Sequence, residues 1–198
     1  MAKKTNWVAT LLIAVGALFI LFPLYMTVSI ALKTPEELAD SVLSLPVGLH
    51  VENFAKAIEA TNFFQAFKNS AFITVTTVVL TIITNSMVAY AIARNMHRKF
   101  FKFLYYYFVS ALFIPFPIIM LPIVKQTSAF GMNNPSGLVF LYVVYGIAFN
   151  IFIYVGYIRS IPKELEEAAI MDGCSTWGVF WRVVFPLMAP INATVAIL

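Results

Sequence analysis

The carboxylates near the carboxyl end of the chain are the first candidates for chemistry, because a carboxylate can bind a cation or a basic partner. Glu167 is followed directly by Ala168 and Ala169, Gly173 comes next in the pattern, and Pro186 closes it. Two small side chains beside a carboxylate form a surface that another protein can approach closely. These residue types therefore predict a docking surface in this stretch, not a catalytic centre.

A helix must carry this carboxylate and the two alanines. Pro162 suits the first helical turn, where its missing N–H costs nothing, and acidic residues near that end favour the helix dipole. Spacings of three and four residues define one face of this helix, formed by Leu165, Ala168, Ala169 and Asp172. Gly173 predicts the helix end, because glycine readily takes the left-handed conformation of a C-cap.

A second helix is predicted directly after this turn. Ser175 can cap its first turn, the helix continues to Phe185, and Pro186 limits it. The two helices form a helix-turn-helix arrangement in which Gly173 sets the angle between the arms.

Residues 159–189, called the Glu167 loop below, resemble the cytoplasmic coupling loop of ATP-binding cassette (ABC) importer permeases. That family's pattern is Glu-Ala-Ala, three residues, Gly, nine residues and Ile-x-Leu-Pro, and the same spacing holds here. The matching positions are Glu167, Ala168, Ala169, Gly173 and Pro186, with Val183 and Phe185 in place of Ile and Leu. The alternative is an amphipathic loop lying on the bilayer, but lipid contact gives no reason for this spacing of Gly and Pro.

The resemblance implies a permease of the type I ABC importer fold, similar to the shorter of two permeases in carbohydrate importers. It implies a second permease, two cytosolic ATPase subunits and an external solute-binding protein as partners. ATP and Mg would lie on the ATPase, with no cofactor bound by this chain. The residues that would contact the ATPase are Glu167, Ala168, Ala169, Asp172, Gly173 and Pro186.

Composition independently predicts an integral membrane protein. The 198 residues are 61% hydrophobic and 11% charged, with a mean hydropathy of +0.87, which is outside the range of soluble domains. The net charge of +4 arises from short basic clusters between apolar runs, a topology signal and not a nucleic-acid interface. His50 and His97 are isolated, so no metal site is predicted, and Cys174 is the single cysteine.

The predicted fold class is an all-α polytopic helical bundle formed by one transmembrane domain, residues 1–198. Its full spans are predicted at about 7–30, 67–93, 103–124 and 137–158, followed by the Glu167 loop and an incomplete fifth span at 190–198. Pro115, Pro117 and Pro122 predict a kinked third span. Because the family resembled carries two helices after the loop, we expect the sequence to stop within the fifth.

Two polar stripes are candidates for the wall of a translocation path. The second predicted span carries Thr77, Thr81 and Asn85 at helical spacing, for which interhelical hydrogen bonding is the alternative. Tyr142, Tyr145, Phe149 and Asn150 fall largely on one side of the fourth, where aromatic faces suit sugar rings and bundle packing is the alternative.

The segment between the first two spans, residues 31–66, is predicted to contain short helices. Thr34 can cap one of them, with Pro35 in its first turn. Asn53-Phe54 resembles a common feature of the first external loop in carbohydrate-type permeases.

The resemblance implies a bacterial plasma-membrane protein, and the distribution of basic residues predicts that its amino terminus lies in the cytosol. Segments that would be cytosolic carry nine basic residues, and external segments carry four. The cytosolic set is Lys3, Lys4, Arg94, Arg98, Lys99, Lys102, Arg159, Lys163 and Arg182; the external set is Lys33, Lys56, Lys68 and Lys125.

Two other functions remain open from the residues. One is an importer of the same fold for amino acids, peptides or another small solute. The other is a membrane-embedded enzyme, which would need paired acids, a Ser–Lys pair or a His cluster at membrane depth. All nine acids lie in predicted loops, and no phosphate-binding Gly-rich Lys motif is present. We therefore predict a transport permease and not an enzyme.

Overall fold

The computed structural model describes residues 6–198, and all regular elements in that range are helices. This confirms the predicted all-α fold class. Lys3 and Lys4, which contribute to the predicted orientation, lie outside the described residues. The chain divides into two compact units, one ending at Phe67 and one beginning at Lys68.

The first unit contains one long apolar helix and two short ones, α1 Trp7–Ala31, α2 Pro35–Asp40 and α3 Glu52–Ala60. The capping prediction for α2 is confirmed: Glu37 N–H donates to Thr34 Oγ1, and Thr34 N–H donates to the Glu37 carboxylate. This reciprocal pair satisfies two backbone donors that a helix start leaves free.

Lys33 is buried between α1 and α2, with only 2% of its surface exposed. Its Nζ donates to the carbonyl oxygens of Ser41 and Val42, at 2.9 and 3.2 Å, and to Ser44 Oγ at 3.0 Å. Each of the three ammonium protons therefore has an acceptor, as a buried charge requires. Through these hydrogen bonds Lys33 holds the two ends of the segment 33–44 together, and its ammonium group is not exposed to water.

Asn53 provides a second closure in the same unit. Its Nδ2 donates to the carbonyl oxygens of Ala31 and Lys33, at 3.1 and 2.8 Å, and so ties α3 to the end of α1. Beside it, Glu52 starts α3, where a backbone N–H and the His50 ring 2.8 Å away hold its pKa below the usual value. The Asn53-Phe54 feature thus has a local structural role for Asn53.

The second unit begins within the 32-residue helix α4 Phe63–Arg94. The elements that follow are α5 Lys99–Ser110, a 3₁₀ turn Ala111–Phe113, α6 Phe116–Ala129, α7 Pro135–Ile158, α8 Glu164–Met171, α9 Thr176–Val179, a π-helical turn Phe180–Val184, α10 Phe185–Leu187 and α11 Ala189–Ile197. An apolar core joins α4, α7 and the helices after residue 176. It includes Ala89, Ile92, Ile151, Val155, Val184 and Met188.

The predicted third span is wrong as a single helix over 103–124. The axes of Lys99–Phe113 and Phe116–Ala129 meet at 102°, which is a change of direction and not a kink. Ile114 is extended because a residue before proline is driven out of the helical region, and Pro115 cannot supply the next backbone donor. Pro122, by contrast, is held inside α6.

The predicted helix end at Pro186 is also wrong. The helical run that starts at Thr176 passes Pro186 and bends by 69° between Leu187 and Ala189. Pro186 lies at the start of α10, directly after the π-helical turn Phe180–Val184.

Three helices in the described range are long and apolar enough to cross a membrane, namely α1, α4 and α7. Counting each bent pair as one span would bring the number to five. All three helices coincide with predicted spans. The bent pair Lys99–Phe113 and Phe116–Ala129 lies where the third span was predicted, and the pair Thr176–Leu187 and Ala189–Ile197 lies where the Glu167 loop and the incomplete fifth span were predicted.

Candidate functional site

The first arm of the Glu167 loop is α8, whose outer face is open to solvent. Glu167, Ala168 and Asp172 are exposed, and two larger apolar side chains next to them, Ile170 and Met171, are exposed as well. Exposed apolar groups beside a carboxylate are typical of a surface that another protein covers. The structure thus brings most of the predicted contact residues to one exposed patch.

Ala169 differs from its neighbours. It is half-buried and packs against the core that α4 and α7 form. Ala169 therefore turns partly toward the core, while Ala168 lies on the exposed face; that both alanines contact the ATPase stays a prediction. A spacing of three or four residues cannot tell which of two adjacent alanines turns inward.

Gly173 ends α8 in the left-handed region, with a φ of 84°. Its N–H donates to the carbonyl of Ile170, and the N–H of Cys174 donates to that of Ala169, both at 2.9 Å. This pair of bonds is the Schellman motif, which satisfies the last carbonyls of a helix. The predicted role of Gly173 in ending the helix is confirmed, since an L side chain rarely adopts this backbone conformation.

The second arm begins as predicted. The Ser175 hydroxyl accepts a hydrogen bond from the Gly178 N–H at 3.2 Å and caps the helix that starts at Thr176. The π-helical turn Phe180–Val184 follows, with Phe180 and Val184 buried in the core. Pro186 is exposed at the far end of this arm.

Sequence reasoning missed a buried ion pair that fixes α8 to the end of α4. Arg94 Nε donates to Glu166 Oε1 at 2.6 Å, and Tyr90 Oη donates to Glu166 Oε2 at 2.7 Å. The acidic run Glu164-Leu165-Glu166-Glu167 could have drawn attention to a partner for the basic end of α4. No pattern in that run, however, singles out Glu166.

A cavity of about 460 Å³ lies in the second unit, between α4, α7 and α11. It joins five of the predicted path residues, namely Thr77, Thr81, Tyr142, Phe149 and Asn150, with Thr74, Gly146 and the apolar end of α11. Among the described residues that line it, no side chain carries a charge. The cavity therefore offers hydroxyl and amide hydrogen bonds with aromatic surface to a polar, uncharged ligand.

Two polar atoms on this side of α4 have no hydrogen-bond partner among residues 6–198. They are Thr77 Oγ1, in the cavity wall, and Asn85 Nδ2, whose residue is fully buried deeper along the same helix. Leaving a buried donor unpaired is costly, so such atoms are commonly satisfied by water or a ligand. Two predicted path residues, Asn85 and Tyr145, are not among the residues that line the cavity. The Tyr145 ring instead packs edge-on against Phe116, with ring centroids 5.3 Å apart.

Comparison with known proteins places this arrangement in a family. Residues 85–198 match the family described as binding-protein-dependent transport system inner membrane component. The matched range contains α7, the whole Glu167 loop and α11, and therefore most of the residues discussed above.

Curated relatives are transport permeases. A probable starch degradation products transport system permease protein, AmyC, of Thermoanaerobacterium thermosulfurigenes is 36% identical over 98% of this chain and 70% of its own length. The multiple sugar-binding transport system permease protein MsmG of Streptococcus mutans is 36% identical over 94% and 68%. The melibiose/raffinose/stachyose import permease protein MelC of Bacillus subtilis is 32% identical over 98% and 71%.

A solved bacterial ABC transporter involved in the import of the acidic polysaccharide alginate has the same fold. The similarity has a TM-score of 0.86 and 23% identity, over all of this chain and 71% of that one. The chain therefore belongs to the family of binding-protein-dependent transport system inner membrane components, as a multi-pass permease subunit of an ABC importer.

Proposed function

We propose that this chain is a transmembrane subunit of an ATP-driven importer for a di- or oligosaccharide. In this proposal, the Glu167 loop couples the motion of a cytosolic ATPase to alternating access. The observation that carries the coupling is the outer face of α8, where Glu167 and Ala168 are exposed beside Ile170 and Met171.

The fixed angle between the two arms also supports this role. Two backbone hydrogen bonds, donated by the N–H groups of Gly173 and Cys174, close α8, and Ser175 begins the second arm directly afterwards. A docking element must keep its shape while a partner pushes on it, and a capped turn between short helices does so. The ATPase would carry ATP and Mg, and this chain would bind neither.

The cavity supports an uncharged solute. Its volume of about 460 Å³ falls within the usual range for small-molecule sites. Thr77, Thr81 and Asn150 supply hydrogen-bonding groups, and Tyr142 and Phe149 supply aromatic surface. A sugar matches this lining, and the relatives named for starch products, multiple sugars or raffinose-type sugars point to the same class.

The remaining partners follow from the same proposal. A second permease completes the transmembrane pathway, and a solute-binding protein delivers the sugar to the external side. The amino terminus lies in the cytosol, which places the Glu167 loop on the side where an ATPase can reach it.

The test is affinity purification of the full-length gene product from mildly solubilised native membranes, followed by mass spectrometry and sugar-uptake assays in vesicles. We expect an ATPase subunit, a second permease and a solute-binding protein, together with uptake of a di- or oligosaccharide but not of amino acids. Recovery of other membrane complexes intact but no ATPase would reject the coupling role. Uptake of amino acids alone would reject the sugar assignment.

A further inference from the structure

Glu166 is the buried carboxylate of α8, whereas the neighbouring Glu167 faces solvent. The side chains of Arg94 and Glu166 are only 12% and 10% exposed. Arg94 is the last residue of α4, so the pair joins the end of a long helix to a short one 72 positions later in the chain.

Every oxygen of this carboxylate has a partner. The Arg94 guanidinium approaches Oε1 through both Nε and Nη2, and the Tyr90 hydroxyl donates to Oε2. The same guanidinium reaches the carbonyl of Ile161 at 3.1 Å, in the turn before α8. Arg94 therefore holds two points of the segment 161–166.

Such contacts are directional, unlike apolar packing. A planar guanidinium and a carboxylate bond strongly only over a narrow range of positions. Removing one partner of a buried pair leaves an unpaired charge, which is strongly unfavourable. Displacement of α8 with the pair intact must therefore displace Arg94 and Tyr90, and so the end of α4.

The rest of α4 leads from this pair to the cavity. Thr81 and Thr77 line the cavity on the same unbroken helix, and Thr81 is about 20 Å from Arg94 at 1.5 Å per residue. Between them Ala89 and Ile92 are buried in the core. The helix can therefore transmit a displacement as one body.

We propose that Tyr90, Arg94 and Glu166 are positioning residues that transmit the motion of α8 to the cavity wall on α4. This inference rests on the proposed coupling role of the Glu167 loop. It assigns two carboxylates different tasks: Glu167 faces the partner, and Glu166 passes the movement inward. Neither Tyr90 nor Arg94 belongs to the exposed patch.

The test compares Glu166→Gln and Tyr90→Phe with the control Glu59→Gln, each in the complete transport complex reconstituted in vesicles. Glu59 is an exposed carboxylate of α3, outside the Glu167 loop. The measured quantity is the number of sugar molecules transported per ATP hydrolysed. We expect this ratio to fall about tenfold in Glu166→Gln, within the 5–150-fold range of coupling between sites, and less in Tyr90→Phe. The control should match the wild type.

A merely structural role would lower the amount of assembled complex and reduce both activities in proportion, leaving the ratio unchanged. An unchanged ratio in assembled Glu166→Gln complex would therefore overturn the proposal. If that variant does not assemble, Tyr90→Phe decides, because it keeps the ion pair and removes one hydrogen bond. If the proposed coupling role of the Glu167 loop is itself wrong, no ATPase will co-purify with the wild-type chain. That result is obtained before any transport ratio is measured, so the two failures are distinguishable.

Discussion

The Tyr154 hydroxyl donates a 2.9 Å hydrogen bond to Asn192 Oδ1, and so joins the carboxyl-terminal part of α7 to α11 just beyond the 69° bend. Tyr154 is fully buried. Nearby, the more exposed Tyr157 donates to the carbonyl of Leu187 at 3.1 Å, on the other side of the bend. Tyr154 and Tyr157 therefore tie the segments before and after the bend to the same helix, α7.

Loss of the Tyr154 hydroxyl should weaken the fold. Tyr154→Phe removes one buried hydrogen bond, and we expect a loss of about 1 kcal/mol in the free energy of unfolding. For a chain of this size that corresponds to a fall of about 2–4 °C in Tm. Thermal unfolding of the purified full chain in detergent measures the change. Tyr106→Phe is the control, because Tyr106 is exposed; an equal fall in both variants would contradict the role of the hydroxyl.

Gly173 should tolerate Asn better than Val. The φ of 84° costs a β-branched residue about 1–2 kcal/mol, whereas Asn visits the left-handed region more readily. We expect Gly173→Val to abolish sugar uptake with near-normal membrane insertion, and Gly173→Asn to retain part of it. Uptake assays with quantitative immunoblotting of membranes measure both. Full uptake by Gly173→Val would show that the angle of the turn is not needed.

Ala168 and Ala169 should respond differently to the same substitution. Ala168→Asp adds a charge to the exposed face of α8, so we expect the chain to fold but to bind the ATPase at least tenfold more weakly. Ala169→Asp places a charge against the core, and we expect loss of folded protein before any effect on docking. Gel filtration in detergent and ATPase co-purification separate the two effects. The reverse pattern would mean that α8 docks through its other face.

Thr77→Val should affect transport without harming the fold. The Thr77 hydroxyl has no partner in the described part of the chain, so a methyl group of similar size leaves stability unchanged or improved. If the hydroxyl bonds to the solute, its loss costs about 1 kcal/mol, roughly a fivefold rise in KM for uptake. Thr84→Val is the control for KM, since Thr84 is not among the residues that line this cavity; its hydroxyl donates to the Leu80 carbonyl and to Asn85 Oδ1. Equal KM values in the wild type and Thr77→Val would remove Thr77 from the path.

The single cysteine offers a test of orientation. Cys174 is half-buried in the Glu167 loop, and Leu45 is exposed in the segment between α1 and α3. In intact cells, a membrane-impermeant maleimide should not label Cys174 until the membrane is permeabilised. In a Cys174→Ser background, Leu45→Cys should be labelled without permeabilisation. The opposite result would place the amino terminus outside.

Local signals were sufficient for much of the fold. Apolar length located α1, α4 and α7, because a helix that crosses a bilayer needs about 20 apolar residues. Caps at Thr34, Ser175 and Gly173 were readable because each depends on residues only a few positions away. These predictions needed no knowledge of distant parts of the chain.

Features that depend on contacts between residues far apart in the chain could not be predicted from the sequence. Prolines marked a weak point near residue 115, but whether a helix kinks or turns by 102° depends on what packs around it. Glu166 pairs with Arg94 across 72 positions, and nothing in an acidic run shows which carboxylate turns inward. The sequence likewise could not show that Thr77 and Asn150 line the same cavity, because this depends on α4 and α7 lying side by side.

The burial of Lys33 has a chemical consequence for mapping the outer segments. Amine-reactive cross-linkers need an accessible amine, and the Lys33 Nζ is buried and enclosed by three hydrogen-bond acceptors. Cross-linking should therefore modify the exposed Lys56 and leave Lys33 unmodified. An adduct at Lys33 would report that the segment 33–44 had opened.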